Sequence, residues 1–220
     1  MTSMKNIILI LFAFSFIATS FSLKEENFEG VIVYEHKYES SNPKMNLKAI
    51  EKAYGTKSEY YYKNGNFRQS FNGEELKMNL YILNQNKIYM NTVNDTLYFD
   101  LCDKPNEIVI SLENDSIKEK ILGYECKILY LKSNKLSGKY YRNAKYYYNE
   151  KIKINPTLSK NQINGSYNLI YEKTKSLPLK IVNDLGSLKI TMTAIEIRKQ
   201  KLDNSFFELA KDALLAPLRK

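Results

Sequence analysis

The stretch Ser58-Glu59-Tyr60-Tyr61-Tyr62-Lys63-Asn64-Gly65-Asn66-Phe67-Arg68-Gln69-Ser70-Phe71 decides the fold class. Asn64 and Gly65 tolerate the positive φ that a two-residue type I′ turn requires, and the runs on either side are rich in strand-forming aromatic residues, so the stretch predicts a β-hairpin. Downstream the pattern repeats. Asn72-Gly73 is a second turn signal, Leu76, Met78, Leu80 and Ile82 alternate, Asn84-Gln85-Asn86 turns the chain, Ile88 and Met90 return, and Asn94-Asp95 turns it again into Thr96–Leu101. Short β-branched or aromatic runs punctuated by Asn, Gly and Asp predict further strands over Glu107–Leu112, Tyr124–Lys132, Lys139–Asn149, Tyr167–Lys173, Leu179–Asn183 and Leu188–Lys199, with a polar loop around Pro156. Upstream, Phe28, Ile32, Tyr34 and Tyr38 share one face of a strand over Phe28–Tyr38 by their period of two.

Two segments depart from this rhythm. Leu47, Ile50 and Tyr54 recur at helical spacing and Gly55 follows as a stop, so Lys44–Tyr54 predicts an amphipathic helix lying over a sheet face. Asp203 or Asn204 caps a short terminal helix through Phe206, Phe207 and Leu209, which Pro217 keeps short. The chain therefore reads as mainly β: a single antiparallel sheet of about eleven strands with one or two covering helices. An open sheet of that width leaves edges and an apolar face exposed unless it curls and is covered, which predicts a strongly curved, unclosed barrel.

The 220 residues include 33 Lys+Arg against 24 Asp+Glu, a formal net charge of +9, with 18 Tyr, no Trp, one His and two Cys. Of the basic residues 29 are Lys and 4 are Arg. Phosphate and base-edge recognition leans on Arg, so the charge does not point to nucleic acid. One histidine and two cysteines leave no multi-histidine or cysteine-rich metal site, and no cofactor is expected. The single His36 reads as a half-exposed strand residue. No G-x-S-x-G elbow, P-loop, HExxH or Gly-rich dinucleotide turn is present, and catalysis is not expected.

Lys5 is followed by an apolar or small run from Ile7 to Ala18 and then by Thr19-Ser20-Phe21-Ser22, the pattern of a secretory signal peptide with cleavage after Ser22 or Ser20. The apolar core falls short of the roughly 20 residues that span a bilayer. Residues 1–22 are thus expected to be a leader and 23–220 a single soluble domain, periplasmic or secreted, touching membrane at most peripherally. In an oxidising compartment Cys102 and Cys126, 24 positions apart, are a candidate disulfide that would restrict the unfolded chain by roughly 3 kcal/mol. The alternative is two separately buried thiols. Lys127, Lys132, Lys139 and Lys145 interrupt the alternation that a lipid-facing outer-membrane barrel needs.

Several phrases resemble the LolA-like superfamily, exported proteins of Gram-negative bacteria with the periplasmic lipoprotein-carrier fold, in its uncharacterised branches. They are Phe28-Glu29-Gly30-Val31-Ile32-Val33-Tyr34, Ile121-Leu122-Gly123-Tyr124-Glu125-Cys126, Tyr146-Tyr147-Tyr148 leading to Ile154-Asn155-Pro156, and Leu177-Pro178-Leu179-Lys180. The resemblance implies a curved sheet with helices on its concave side and, in better-known members, a cavity holding acyl chains. It transfers no catalytic residue. A cavity lined by Ile82, Ile88, Met90, Leu129 and Tyr130 is the expected ligand site, with a solid core of the same residues as its alternative. The expected function is binding of a hydrophobic or acylated ligand. The competing expectation is a non-enzymatic envelope interaction protein with a filled core, whose tyrosine-rich strands supply contact area.

Overall fold

A computed structural model of the chain describes residues 26–92, 96–136 and 141–218. The leader, the Asn94-Asp95 turn and the start of the strand expected from Lys139 lie outside the described residues. In chain order the elements are β1 (Gly30–Ser40), α1 (Leu47–Tyr54), β2 (Lys57–Lys63), β3 (Asn66–Phe71), β4 (Met78–Ile82), β5 (Lys87–Asn91), β6 (Thr96–Leu101), β7 (Glu107–Ile121), β8 (Tyr124–Lys135), β9 (Tyr141–Lys153), α2 (Tyr167–Thr174), β10 (Ser176–Asp184), β11 (Leu188–Lys199) and β12 (Leu214–Pro217). The Asn64-Gly65 hairpin forms as its residues dictate. Both take left-handed φ values, 47° and 84°, and the turn joins β2 to β3 in antiparallel register.

The twelve strands form one sheet in the order β12-β6-β5-β4-β3-β2-β1-β11-β10-β9-β8-β7. β1 is the joint between two meanders, pairing with β2 on one side and with β11 on the other. The expected strongly curved, wholly antiparallel half-barrel is corrected. The sheet is mixed, because β12 runs parallel to β6, and it is open, neither closed into a barrel nor strongly curved. The physical reason lies in its covers. Separate segments of chain lie on both faces, so apolar surface is removed from water without curling the sheet onto itself.

One face carries Ile32, Tyr34, Tyr62, Phe67, Tyr81, Leu129, Leu131 and Tyr146, packed with Ile154, Ile170 and Tyr171 of the chain that precedes β10. The opposite face carries Val31, Val33, Leu80, Ile82 and Tyr89 under Leu202 and Phe207. That second cover is held by Glu29, whose carboxylate accepts from the Leu202 N–H at 2.7 Å. The expected terminal helix is a single 3-10 turn, Asn204–Phe207, with the Asp203 carboxylate accepting from Ser205 N. The chain beyond it returns along β6 as β12, a strand too short to be read from its residues.

Three further expectations change. Tyr167–Lys173 is helical, not extended: Tyr167, Ile170, Tyr171 and Thr174 follow the i, i+3, i+4, i+7 spacing, and the last three are buried. The first helix forms with Asn46 as its N-cap and Gly55 as its stop, yet buries none of its residues and covers no core. Cys102 and Cys126 are both buried and both free. Cys102 follows β6 and Cys126 lies on β8, and eight strands separate β6 from β8 in the sheet, so the thiols do not approach disulfide distance.

Candidate functional site

Strand register determines which side chains meet beneath α2. Residues directly paired across neighbouring strands point to the same face. Ile88 pairs with Tyr81, Tyr81 with Phe67, and beside them Asn79 pairs with Gln69, Gln69 with Tyr60, and Tyr60 with Ile32. Across β1 the same face continues through Met192, Ile181, Tyr146 and Leu129. Most of this stripe packs solidly. Part of it, with α2 above, encloses a cavity of about 120 Å³.

The cavity walls are largely tyrosine. Tyr34 from β1, Tyr60 from β2 and Tyr146 from β9 come from the sheet, and Tyr167 and Tyr171 come from α2. Tyr34 meets Tyr60 edge-on at 6.3 Å between ring centroids, Tyr60 stacks on Phe67 at 5.1 Å, and Tyr167 stacks on Tyr171 at 5.8 Å. The Tyr34 hydroxyl is anchored, donating to the Pro178 carbonyl at 2.6 Å. Burial pushes the pKa of all five upward, so they remain neutral hydroxyls across the physiological range.

Among the described residues Arg142 is the only charged side chain lining the cavity. Its Nη2 donates to Glu107 Oε1 at 2.7 Å and to the Gly165 carbonyl at 3.2 Å. The Glu107 side chain is wholly buried and also accepts from Ser133 and Ser166, with Lys135 at 3.2 Å. Burial alone would raise the Glu107 pKa, but Arg142, Ser166, Lys135 and Ser133 outweigh it and hold the carboxyl below its usual range. The cluster therefore carries two cations against one anion. Arg142 Nε, next to this network, is buried with no acceptor in hydrogen-bond geometry, and the Oδ1 atoms of Asn79 and Asn183, which line the same cavity, are buried without a donor.

Buried polar atoms without partners are uncommon and costly, roughly 1–3 kcal/mol each, so a cavity that keeps three of them has unmet hydrogen-bonding capacity. Among the described residues no group of three His, Cys, Asp or Glu side chains converges as a metal site. The chemistry on offer is aromatic contact, one guanidinium and a few neutral donors and acceptors. That arrangement suits binding and orientation of a small molecule.

The five residues expected to line a ligand site separate. Ile88 does line the cavity. Met90 and Leu129 share its face by register, with Leu129 fully buried beside Tyr146. Ile82 points to the opposite face, among Leu80, Tyr89 and Phe207, and Tyr130 lies on that side too, under the Lys145 ammonium at 5.9 Å. Sequence reasoning passed over Tyr34, Tyr60, Tyr146, Tyr167, Tyr171, Arg142, Asn79 and Asn183 as cavity residues. A scan against protein-family models finds none that matches the chain, and no curated protein sequence is significantly similar to it.

Proposed function

We propose that this chain is an exported, non-enzymatic binding protein that holds the hydrophobic or acylated end of an amphiphile between its sheet and α2. The observation that carries the reading is the tyrosine-walled cavity, with its Asn79, Asn183 and Arg142 atoms left without partners. Its volume of about 120 Å³ lies below the roughly 300–1,000 Å³ of drug-sized sites, so it fits the end of a chain or a single ring and not a whole lipid. The leader-like residues 1–22 and the likeness of the quoted phrases to LolA-like carriers support the same reading from the sequence side.

Purification of the mature chain from the envelope of the native host tests it. Native mass spectrometry and solvent extraction are expected to recover a bound amphiphile at up to one per chain. Amino-terminal sequencing of the same material is expected to start at Leu23 or Phe21. An empty protein that also fails to saturate with an environment-sensitive acyl probe would overturn the binding role and favour the envelope interaction protein. An uncleaved amino terminus would overturn export.

A further inference from the structure

We infer that the cavity selects a small carboxylate that carries an apolar body and a hydroxyl or N–H donor, the carboxylate facing Arg142 and the donor facing the Asn183 carboxamide. This rests on the binding role proposed above and specifies which ligand class that site takes.

The first step is charge. Arg142 is the single ionised group among the described cavity-lining residues, and no carboxylate lines the space with it. Glu107 is shared between Arg142 at 2.7 Å and Lys135 at 3.2 Å, so the cluster that includes Arg142 carries one excess positive charge. In a site walled by aromatic rings, that excess acts through a low local dielectric and disfavours a cation while favouring an anion.

The second step is directional. Arg142 Nη2 is occupied by Glu107 and Gly165, whereas Nε–H has no acceptor. A carboxylate oxygen supplies that acceptor in a charge-assisted bond. Asn183 pairs with Ala144 of β9, two residues from Arg142 on the same face, so its Oδ1, also without a partner, stands near the same end of the cavity. An acceptor there asks for a donor on the guest. Asn79, on β4, also lines the cavity, and its Oδ1 is buried without a partner.

The third step is size. A single water needs about 10–15 Å³ of such space, so about 120 Å³ holds on the order of ten non-hydrogen atoms. The tyrosine rings and Ile88, Ile170, Ile181 and Met192 then contact an apolar ring or short chain that extends away from that polar end. The raised pKa values of the five tyrosines keep phenolate charge out of the site, so no wall residue opposes the anion at neutral pH.

Isothermal titration of the delipidated mature protein with mandelate, whose hydroxyl sits beside its carboxylate, with its neutral amide and with phenylacetate tests the inference. The hydroxy acid is expected to bind at one site, with the amide weaker by roughly tenfold or more, the scale of one hydrogen bond to a charged group. Phenylacetate, which lacks the donor, is expected to bind several-fold more weakly than the hydroxy acid. Because Arg142→Gln leaves Glu107 buried without its partner, the double variant Arg142→Gln/Glu107→Gln is measured beside it. In whichever of the two keeps the wild-type far-ultraviolet spectrum, the acid-over-amide preference should vanish. Asn183→Leu should erase the preference for the hydroxyl and leave acid over amide intact.

Equal affinity for acid and amide, or no binding of either acid to a protein that still saturates with a neutral acyl probe, would overturn the carboxylate class and leave the binding role standing. Failure of that acyl probe together with an empty native protein overturns the binding role itself.

Discussion

His36 is 6% exposed, its Nε2 lies 2.8 Å from Ser58 Oγ and its ring meets Phe71 edge-on at 5.8 Å. Gln69 Nε2 donates to the same Ser58 Oγ at 3.0 Å, which leaves the hydroxyl proton for the imidazole and fits a neutral ring. The reading of His36 as half-exposed is therefore corrected: its side of β1 is packed against Ser58 and Phe71 and is not solvated. Burial pushes the His36 pKa down to about 4, against roughly 6.5 in the unfolded chain. Between those values the unfolded state binds a proton that the folded state refuses. Stability is complete above pH 6.5 and falls as pH drops toward 4, by up to about 3 kcal/mol. Urea unfolding midpoints at pH 7.5, 6.0 and 5.0 should decline in that order, and His36→Gln should flatten the decline. The carboxylates with lowered pKa, among them Glu29, Glu59 and Glu107, lose their contribution only as pH falls below their unfolded value near 4.5. A decline that persists unchanged in His36→Gln would remove His36 as its cause.

At the scale of elements, Glu107 ties four pieces of the fold to one carboxylate: Glu107 itself opens β7, Ser133 and Lys135 belong to β8, Arg142 to β9, and Ser166 immediately precedes α2. Removing it with Glu107→Ala leaves Arg142 buried without its counter-ion, which costs about 3–5 kcal/mol by the measure of other broken buried pairs. The expected result is a large fall in the urea midpoint, with Lys127→Ala as a control. That residue pairs with Glu150 on the exposed surface, where solvent screens the pair, so its loss should leave the midpoint essentially unchanged. How legible these elements were in the residues depended on how local their causes are. The Asn64-Gly65 hairpin and the Gly55 stop of α1 follow from two or three adjacent residues, and the sequence displays them, whereas the helix expected from Lys44 begins at Leu47, after the Asn46 cap. The helical Tyr167, Ile170, Tyr171, Thr174 spacing was present too, but strand-forming Tyr and Ile and the preceding run of strands pointed the other way. The cavity was the least legible part. In β4 the aliphatic alternation of Met78, Leu80 and Ile82 marks the face under Leu202 and Phe207, so following apolar residues led away from Asn79, which faces the site. Which parity of a strand faces a cavity is set by its cover, and the cover comes from chain about ninety residues downstream.

Across the whole molecule the order of strands separates residues that lie close in sequence. The chain lays β1 to β6 outward in one direction from the centre and β7 to β11 inward from the other end, so that β6 and β7, consecutive in sequence, flank opposite extremes of the sheet. Cys102 and Cys126 sit on either side of that jump, and spacing along the chain could not reveal it. Each thiol is held within its own surroundings: Cys102 N donates to the Asn86 carbonyl, and its own carbonyl accepts from Ile163 and Asn164, while Cys126 pairs with Glu119 across the β7–β8 hairpin. Burial pushes both thiols up, Cys102 to about 12 and Cys126 to about 11, so neither offers an appreciable thiolate at neutral pH. Two consequences are expected even for protein recovered from an oxidising compartment. A reductant should leave the thermal midpoint unchanged, because no cross-link restrains the unfolded chain. A thiol reagent should label neither cysteine in the native protein and both after denaturation, at a rate set by unfolding. A midpoint that drops on reduction, or a mass two hydrogens below that of the free dithiol, would mean that β6 and β8 approach one another, which a sheet with eight strands between them forbids.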